Sequence, residues 1–174
     1  MPGSDQSKEY LKDLLRLIDK GIGGKSISLT PTITTSAGAY SIGDTVGTLL
    51  TLNASRASSK TAILKSIHVK DNANQKQPLT ILLFGTDPTT GATITDNAAF
   101  AYGSSAFAKQ IGKINITAGD YETIDSKATA NLDSFSSVIS SNNGTIYAVV
   151  LTTGTPTYAA NSTTLYITFN FLQD

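Results

Sequence analysis

At Lys25 the sequence changes character, and the change decides what the chain can fold into. Before it, Leu11, Leu14, Leu15 and Ile18 recur at the i, i+3, i+4, i+7 spacing of a single helical face, with Lys12, Asp13, Arg16 and Asp19 off the stripe. After it, Thr, Ser, Ala, Gly and Asn interleave with β-branched and aromatic residues. No helical stripe is sustained there, so the chain is restricted to short strands joined by turns. Ser7 is a suitable N-cap for the helix and Gly21 a suitable stop. A helix of about 20 Å is too short to be stable alone, so its stripe must be buried on something. Gly21, Gly23 and Gly24 supply a flexible joint. The expected organisation is an N-terminal helical arm with its joint over residues 1–24, and a β domain over 25–174.

Candidate strands are Ser26–Thr34, Val46–Leu52, Thr61–Val69, Leu79–Gly85, Ile111–Thr117, Thr145–Thr153 and Thr164–Leu172. Leu165, Ile167, Phe169 and Phe171 share one face of the last of these, and Ile63, Ile67 and Val69 are expected to share one face of the third. Leu79 to Phe84 and Ile146 to Leu151 are nearly continuous apolar runs, which belong in the middle of the fold or at a subunit contact. Asn143-Gly144 and Gly154-Thr155-Pro156 bound the second run with turn signals. Residues 86–110 form the longest stretch without strand character, and a connection of that length is usually functional or partly structured. Within it, Asp96 and Ser105 are each placed to cap a short helical turn. The expected fold class is mainly β, an antiparallel two-sheet β-sandwich, jelly-roll-like, with a short N-terminal amphipathic α-helix arm. Strand order cannot be read from these patterns.

Function classes can be excluded on composition. Of 174 residues, thirteen are basic and thirteen acidic, so no long-range field draws the protein to nucleic acid or to an anionic membrane. There is no cysteine, which removes disulfides, thiolate nucleophiles and soft metal ligands together. The first residues carry no basic segment leading into an apolar run, and nowhere do eighteen apolar residues follow in succession; a protein with neither secretion signal nor membrane anchor is expected.

Chemistry is sparsely provided for. His68, the single histidine, lies on a strand face with Leu64, Ser66 and Lys70. It reads as an ordinary surface or edge histidine, lacking a second His or Cys with which to share a metal. No nucleophile elbow, P-loop or G-x-G-x-x-G run occurs. Asp120, Glu122 and Asp125 cluster around Tyr121 and are the one carboxylate set able in principle to cleave a glycosidic bond; a solvated loop is the simpler reading. Asp71-Asn72-Ala73-Asn74 lacks the Gly and distal Glu of a calcium loop and reads as a surface turn. The glycosylation patterns at Asn53, Asn115, Asn143 and Asn161 are what a Thr/Ser-rich chain produces by chance. Catalytic, cofactor-binding and metal-ligating residues are accordingly expected to be absent. Tyr40, Tyr102, Tyr121 and Tyr158 lie near expected turns, where tyrosines often grip sugars or proteins; Tyr102 and Tyr121 are the loop contacts to test.

The run Tyr40-Ser41-Ile42-Gly43-Asp44-Thr45-Val46-Gly47-Thr48-Leu49-Leu50-Thr51-Leu52, followed by Ala54 and Arg56, resembles a pattern in tailed-phage virion proteins. The likeness continues through Ile63-Leu64-Lys65-Ser66-Ile67, Val69-Lys70-Asp71, Gln75-Lys76, Leu79 to Phe84, Asp96-Asn97-Ala98-Ala99-Phe100 and Gly154-Thr155-Pro156-Thr157-Tyr158 to Leu172-Gln173-Asp174. It covers most of 29–174 and none of the N-terminal helix. The group it resembles is the capsid decoration, or cement, proteins of tailed phages. What the resemblance implies is a non-enzymatic virion protein on the outer surface of the head, made in the host cytoplasm, that braces major capsid subunits. It also implies a homotrimer, while the charge balance leaves neither nucleic acid nor membrane as an expected partner. Leu11, Leu14, Leu15 and Ile18 are then expected to bury against a capsid subunit, a neighbouring copy or the chain's own domain. The alternative is a head-fibre or tail-associated module that binds carbohydrate or a receptor through its loops.

Overall fold

A computed structural model of the chain describes residues 8–13, 25–56, 60–133 and 135–173. Residues 8–13 are helical. Leu11 is exposed there, whereas Leu14, Leu15, Ile18 and the glycine joint lie outside the described residues.

The rest is mainly β, in antiparallel sheets. Strands β1 (Lys25–Leu29), β14 (Leu165–Gln173), β4 (Thr61–Asp71), β10 (Lys127–Leu132) and β9 (Tyr121–Ile124) lie side by side in that order, and β11 (Ser137–Ser140) pairs with the other half of β4. The second sheet has the order β3 (Leu50–Leu52), β12 (Ile146–Thr152), β5 (Leu79–Phe84), β8 (Gln110–Ile116). Two short ribbons, β2 (Gly38–Ala39) with β13 (Thr157–Tyr158) and β6 (Ala92–Thr93) with β7 (Ala101–Tyr102), complete the sheets. The pairings nest: β1 with β14, β3 with β12, β4 with β10, β5 with β8. The chain is thus a long antiparallel ribbon rolled into two layers, with residues 86–110 at its tip.

One apolar core fills the space between the layers. Ile67, Val69, Ile167, Phe169 and Phe171 of the large sheet meet Leu52, Ile81, Leu83, Ile146 and Val150 of the small one. Alternation along β14 supplies the large-sheet side, with each odd residue from Leu165 to Gln173 buried. The continuous apolar runs have a different explanation. Leu79, Ile81 and Leu83 enter the main core, while Leu82, Phe84 and Val149 point to the outer face and are covered by Ile94 and Phe100 of the tip segment. Of the two places expected for such runs, the structure puts both in the middle of the fold.

Strand β4 departs from simple alternation. Opposite the step from Asn170 to Phe171, β4 advances from Ser66 to Leu64, so Lys65 is the extra residue of a β-bulge. The bulge reverses the phase. Ala62 and Leu64 are buried before it, Ile67 and Val69 after it, and Ile63 is turned outward. The expected grouping of Ile63 with Ile67 and Val69, and of Leu64 with His68, is therefore corrected. The Lys65 carbonyl, freed from the ladder, accepts the Phe135 N–H at 3.0 Å.

Candidate functional site

The tip segment builds the most distinctive surface of the molecule. Asp96, expected as a helix cap, is instead its anchor. Its carboxylate accepts backbone N–H groups from Ser36 and Gly47, each at 2.6 Å, and the Tyr40 hydroxyl at 2.9 Å. Tyr40 is buried, and burial followed by the hydrogen bond to Asp96 raises its hydroxyl above the ordinary phenol range. Backbone bonds from Thr45 N–H to the Ala98 carbonyl and from Phe100 N–H to the Gly43 carbonyl seat the segment on the small sheet. At its far end, Lys109 Nζ donates to the Asp87 carbonyl at 2.7 Å. Ser105 does not cap a turn: the helix α1 (Ser104–Phe107) starts after Gly103, and Ser105 is inside it.

Three aromatic rings follow. Phe100 and Tyr102 lie 4.9 Å apart between ring centroids, and Tyr102 and Phe107 lie 5.7 Å apart, both pairs tilted. Tyr102 is half-buried, and its hydroxyl donates to Gln110 Oε1 at 3.2 Å. Phe107 is 62% exposed and Ile42, across the groove, 70%. The groove between them has a volume of about 460 Å³, with Leu82 and Leu151 of the small sheet in its floor and Lys113 at its rim. An aromatic cluster held on a rigid double layer, with a few polar groups around it, has the character of the centre of a protein contact. The sequence singled out Tyr102 alone. Phe107, an isolated aromatic among Ala, Ser and Lys in the longest segment without strand pattern, was the available signal for the rest.

The remaining expected contacts are distributed elsewhere. Tyr121 is only 7% exposed and belongs to the core, which corrects its assignment as a loop contact. Tyr40 and Tyr158 are likewise buried, edge to face at 5.3 Å, and present no ring to a partner. Burial first, and Asp71 second, raise the hydroxyl pKa of both Tyr121 and Tyr158. Asp71 itself is 1% exposed, not a surface residue, and its carboxylate accepts the N–H groups of Ala73, Gln75 and Lys76 at 2.7–2.9 Å. Those amides satisfy a carboxylate that the fold has taken out of water.

Asp120, Glu122 and Asp125 are all exposed and have separate positions. Asp120 accepts the Thr117 N–H and hydroxyl at 2.7 and 2.8 Å to close a 3-10 turn (Ala118–Asp120), Glu122 sits in edge strand β9, and Asp125 occupies the β9–β10 turn at φ 46°. His68 faces outward from β4 opposite Asn131, beside a second groove of about 510 Å³ that includes Lys70, Ile124 and Lys127. Burial, then Lys70, lowers its pKa from 6.5, with Asp133 opposing. Among the described residues no group of three His, Cys, Asp or Glu is placed to hold a metal ion. No helix among them is long and apolar enough to cross a membrane.

No protein-family model and no curated protein matches the chain. Solved structures give distant likenesses. A chain of tomato aspermy virus is 10% identical with a TM-score of 0.34, covering 94% of this chain and 92% of that one. The globular domain of zebrafish complement 1qA protein is 11% identical with a TM-score of 0.30, covering 86% and 96%. A chain of the native virion of Kashmir bee virus is 11% identical with a TM-score of 0.25, covering 85% and 69%. Likenesses this distant assign the chain neither a fold family nor a function.

Proposed function

We propose that the protein is a non-enzymatic structural component of a virion, a decoration protein that binds the outer surface of a tailed-phage head and braces its major capsid subunits. The observation that carries this reading is the exposed apolar surface of Ile42 and Phe107, set beside the Phe100–Tyr102 pair and held on a double-layered scaffold by Asp96. Such a surface is suited to adhesion between proteins, where aromatic anchors in a rigid setting contribute most of the affinity. The nested strand pairing supports naming the domain a jelly roll, an architecture used by viral capsid and lectin domains. Near-zero net charge is consistent with binding through shape instead of a long-range field. The sequence likeness over 29–174 supplies the phage head as the surface bound. In this reading residues 1–24 are an arm appended to the 25–174 domain, and the assembled form is a homotrimer.

The test is co-sedimentation of the purified protein with assembled heads of its own virus and with unassembled major capsid subunits. Saturable binding to heads alone, with raised resistance of the heads to heat, is the expected result. Absence of binding to both would overturn the reading. The groove beside Tyr102, with Gln110 and Lys113 able to hydrogen-bond, favours a glycan-binding module as the second reading. A glycan-array signal lost on Tyr102→Ala would select it.

A further inference from the structure

The bulge in β4 has an effect on the outer face of the large sheet. By turning Ile63 outward, it sets three apolar side chains in one cross-strand row: Leu172 of β14 opposite Ile63 of β4, and Ile63 opposite Val138 of β11. Val138 is 69% exposed. Ile63 and Leu172 are half-buried, yet among the described residues they are part of neither apolar cluster. Next to the row the face is polar, with Ser28, Asn170 and Ser66 bonded across three strands at 2.6 and 2.9 Å, and the other apolar groups on it, Tyr166 and Ile124, lie towards the opposite end of the strands. The apolar row is therefore local.

We propose that this row is the seat of the N-terminal stripe of a second copy of the chain. The chain enters the sheet beside the row: Lys25 opens β1 opposite Gln173, and Ser26 stands opposite Leu172. From Leu11 to Ile18 a helix rises about 10 Å, and the row crosses two inter-strand gaps, also about 10 Å. Leu11, Leu14, Leu15 and Ile18 thus match it in length when the helix lies across the strands. The occupant comes from another copy because Leu11 remains 61% exposed, and Tyr10 79%, with their own domain in place. With Leu11 to Ile18 helical, the seven residues from Ile18 to Lys25 reach at most about 25 Å when extended, so the neighbour's row must lie within that distance of Lys25. The arrangement is an arm exchange that joins an apolar stripe and an apolar row of the same sequence. It does not rest on the capsid reading.

The absence of native cysteine makes the test clean. Full-length Leu11→Cys and Val138→Cys proteins are mixed and mildly oxidised, with Lys113→Cys, on the outer face of the other sheet, replacing Val138→Cys as the control. The expected result is a two-chain disulfide species at least tenfold more abundant with Val138→Cys than with the control. Native mass spectrometry should also show an oligomer of the parent chain that Val138→Asp weakens at least tenfold. Equal yields with the control, a disulfide within single chains and not between them when Leu11→Cys and Val138→Cys are combined in one protein, or a parent chain that stays monomeric at all concentrations would each overturn the proposal. Capsid protein is absent throughout, so this inference and the decoration reading fail separately.

Discussion

Replacing Asp96 by Asn should loosen the tip segment more than its single-atom change suggests. The two carboxylate oxygens accept the Gly47 N–H, the Ser36 N–H and the Tyr40 hydroxyl. An amide offers one acceptor oxygen and one NH₂, and whichever way it flips, a donor faces a backbone donor. One charge-assisted bond, worth about 1.5–3 kcal/mol, is lost; with the NH₂ turned towards Ser36, that exposed N–H keeps the Tyr40 hydroxyl oxygen at 3.0 Å, so a cost of about 1.5–3 kcal/mol is expected. In a domain of this size that lowers Tm by roughly 3–12 °C. Tyr40→Phe alone should cost about 1–1.5 kcal/mol, and because the two groups share a bond their effects should not add. Urea denaturation of the two single variants and the double variant measures the coupling. Hydrogen exchange should show amides of residues 92–102 losing protection before those of β5 and β12. A change under about 0.5 kcal/mol for Asp96→Asn, or strict additivity with Tyr40→Phe, would refute the anchoring role.

Asp71→Asn should also destabilise, by about 2–4 kcal/mol in the same denaturation assay, since three N–H donors converge on a carboxylate that is 1% exposed. Changing Ile42 and Phe107 together to Ser should leave the midpoint of unfolding within about 0.5 kcal/mol per site, both being mostly exposed, while abolishing co-sedimentation with heads. His68 is the single histidine, so its proton NMR titration needs no assignment and should give a midpoint below 6.5. Because the unfolded chain then binds more protons, stability should fall as pH drops through 6.5 and level off below the folded midpoint, and His68→Asn should remove that loss. Gly47→Ala should cost about 1–3 kcal/mol by thermal denaturation: its φ is +79°, and an added Cβ would meet Ile33 Cγ2 at 2.9 Å.

The strands that carry large apolar residues were legible in the sequence, and β4, β5, β8, β12 and β14 lie close to their expected positions. The strands between 121 and 140 were not. In β10 the core-facing residues are Ala128, Ala130 and Leu132, and the two alanines, both 1% exposed, leave too little hydrophobic periodicity to mark a strand. The bulge at Lys65 was invisible for a different reason: Ile63, Ile67 and Val69 fit one unbroken alternation, and with Ile63 and Leu64 both apolar only the partner strand reveals that the phase changes. The site was half legible. Tyr102 stood out as a loop aromatic, but the reach of Asp96 to Ser36, Tyr40 and Gly47 spans 49 to 60 residues of sequence and leaves no local pattern. Tyr121 misled because it follows an acidic turn, while the fold uses the start of β9 to bury its ring.

The placement of β14 sets the order in which the molecule can be made. The last strand of the domain lies inside the large sheet, hydrogen-bonded to β1 on one side and β4 on the other, and it brings Phe169 and Phe171 into the core. Until residue 173 is synthesised, β1 has no neighbour, and one wall of the core is missing. Closure of this domain's core must then wait for β14, with contacts of the greatest sequence separation closing last and slowly. A reading frame cut within β14 would release a chain with its core open, whereas a fusion beyond Gln173 would leave the sheet complete.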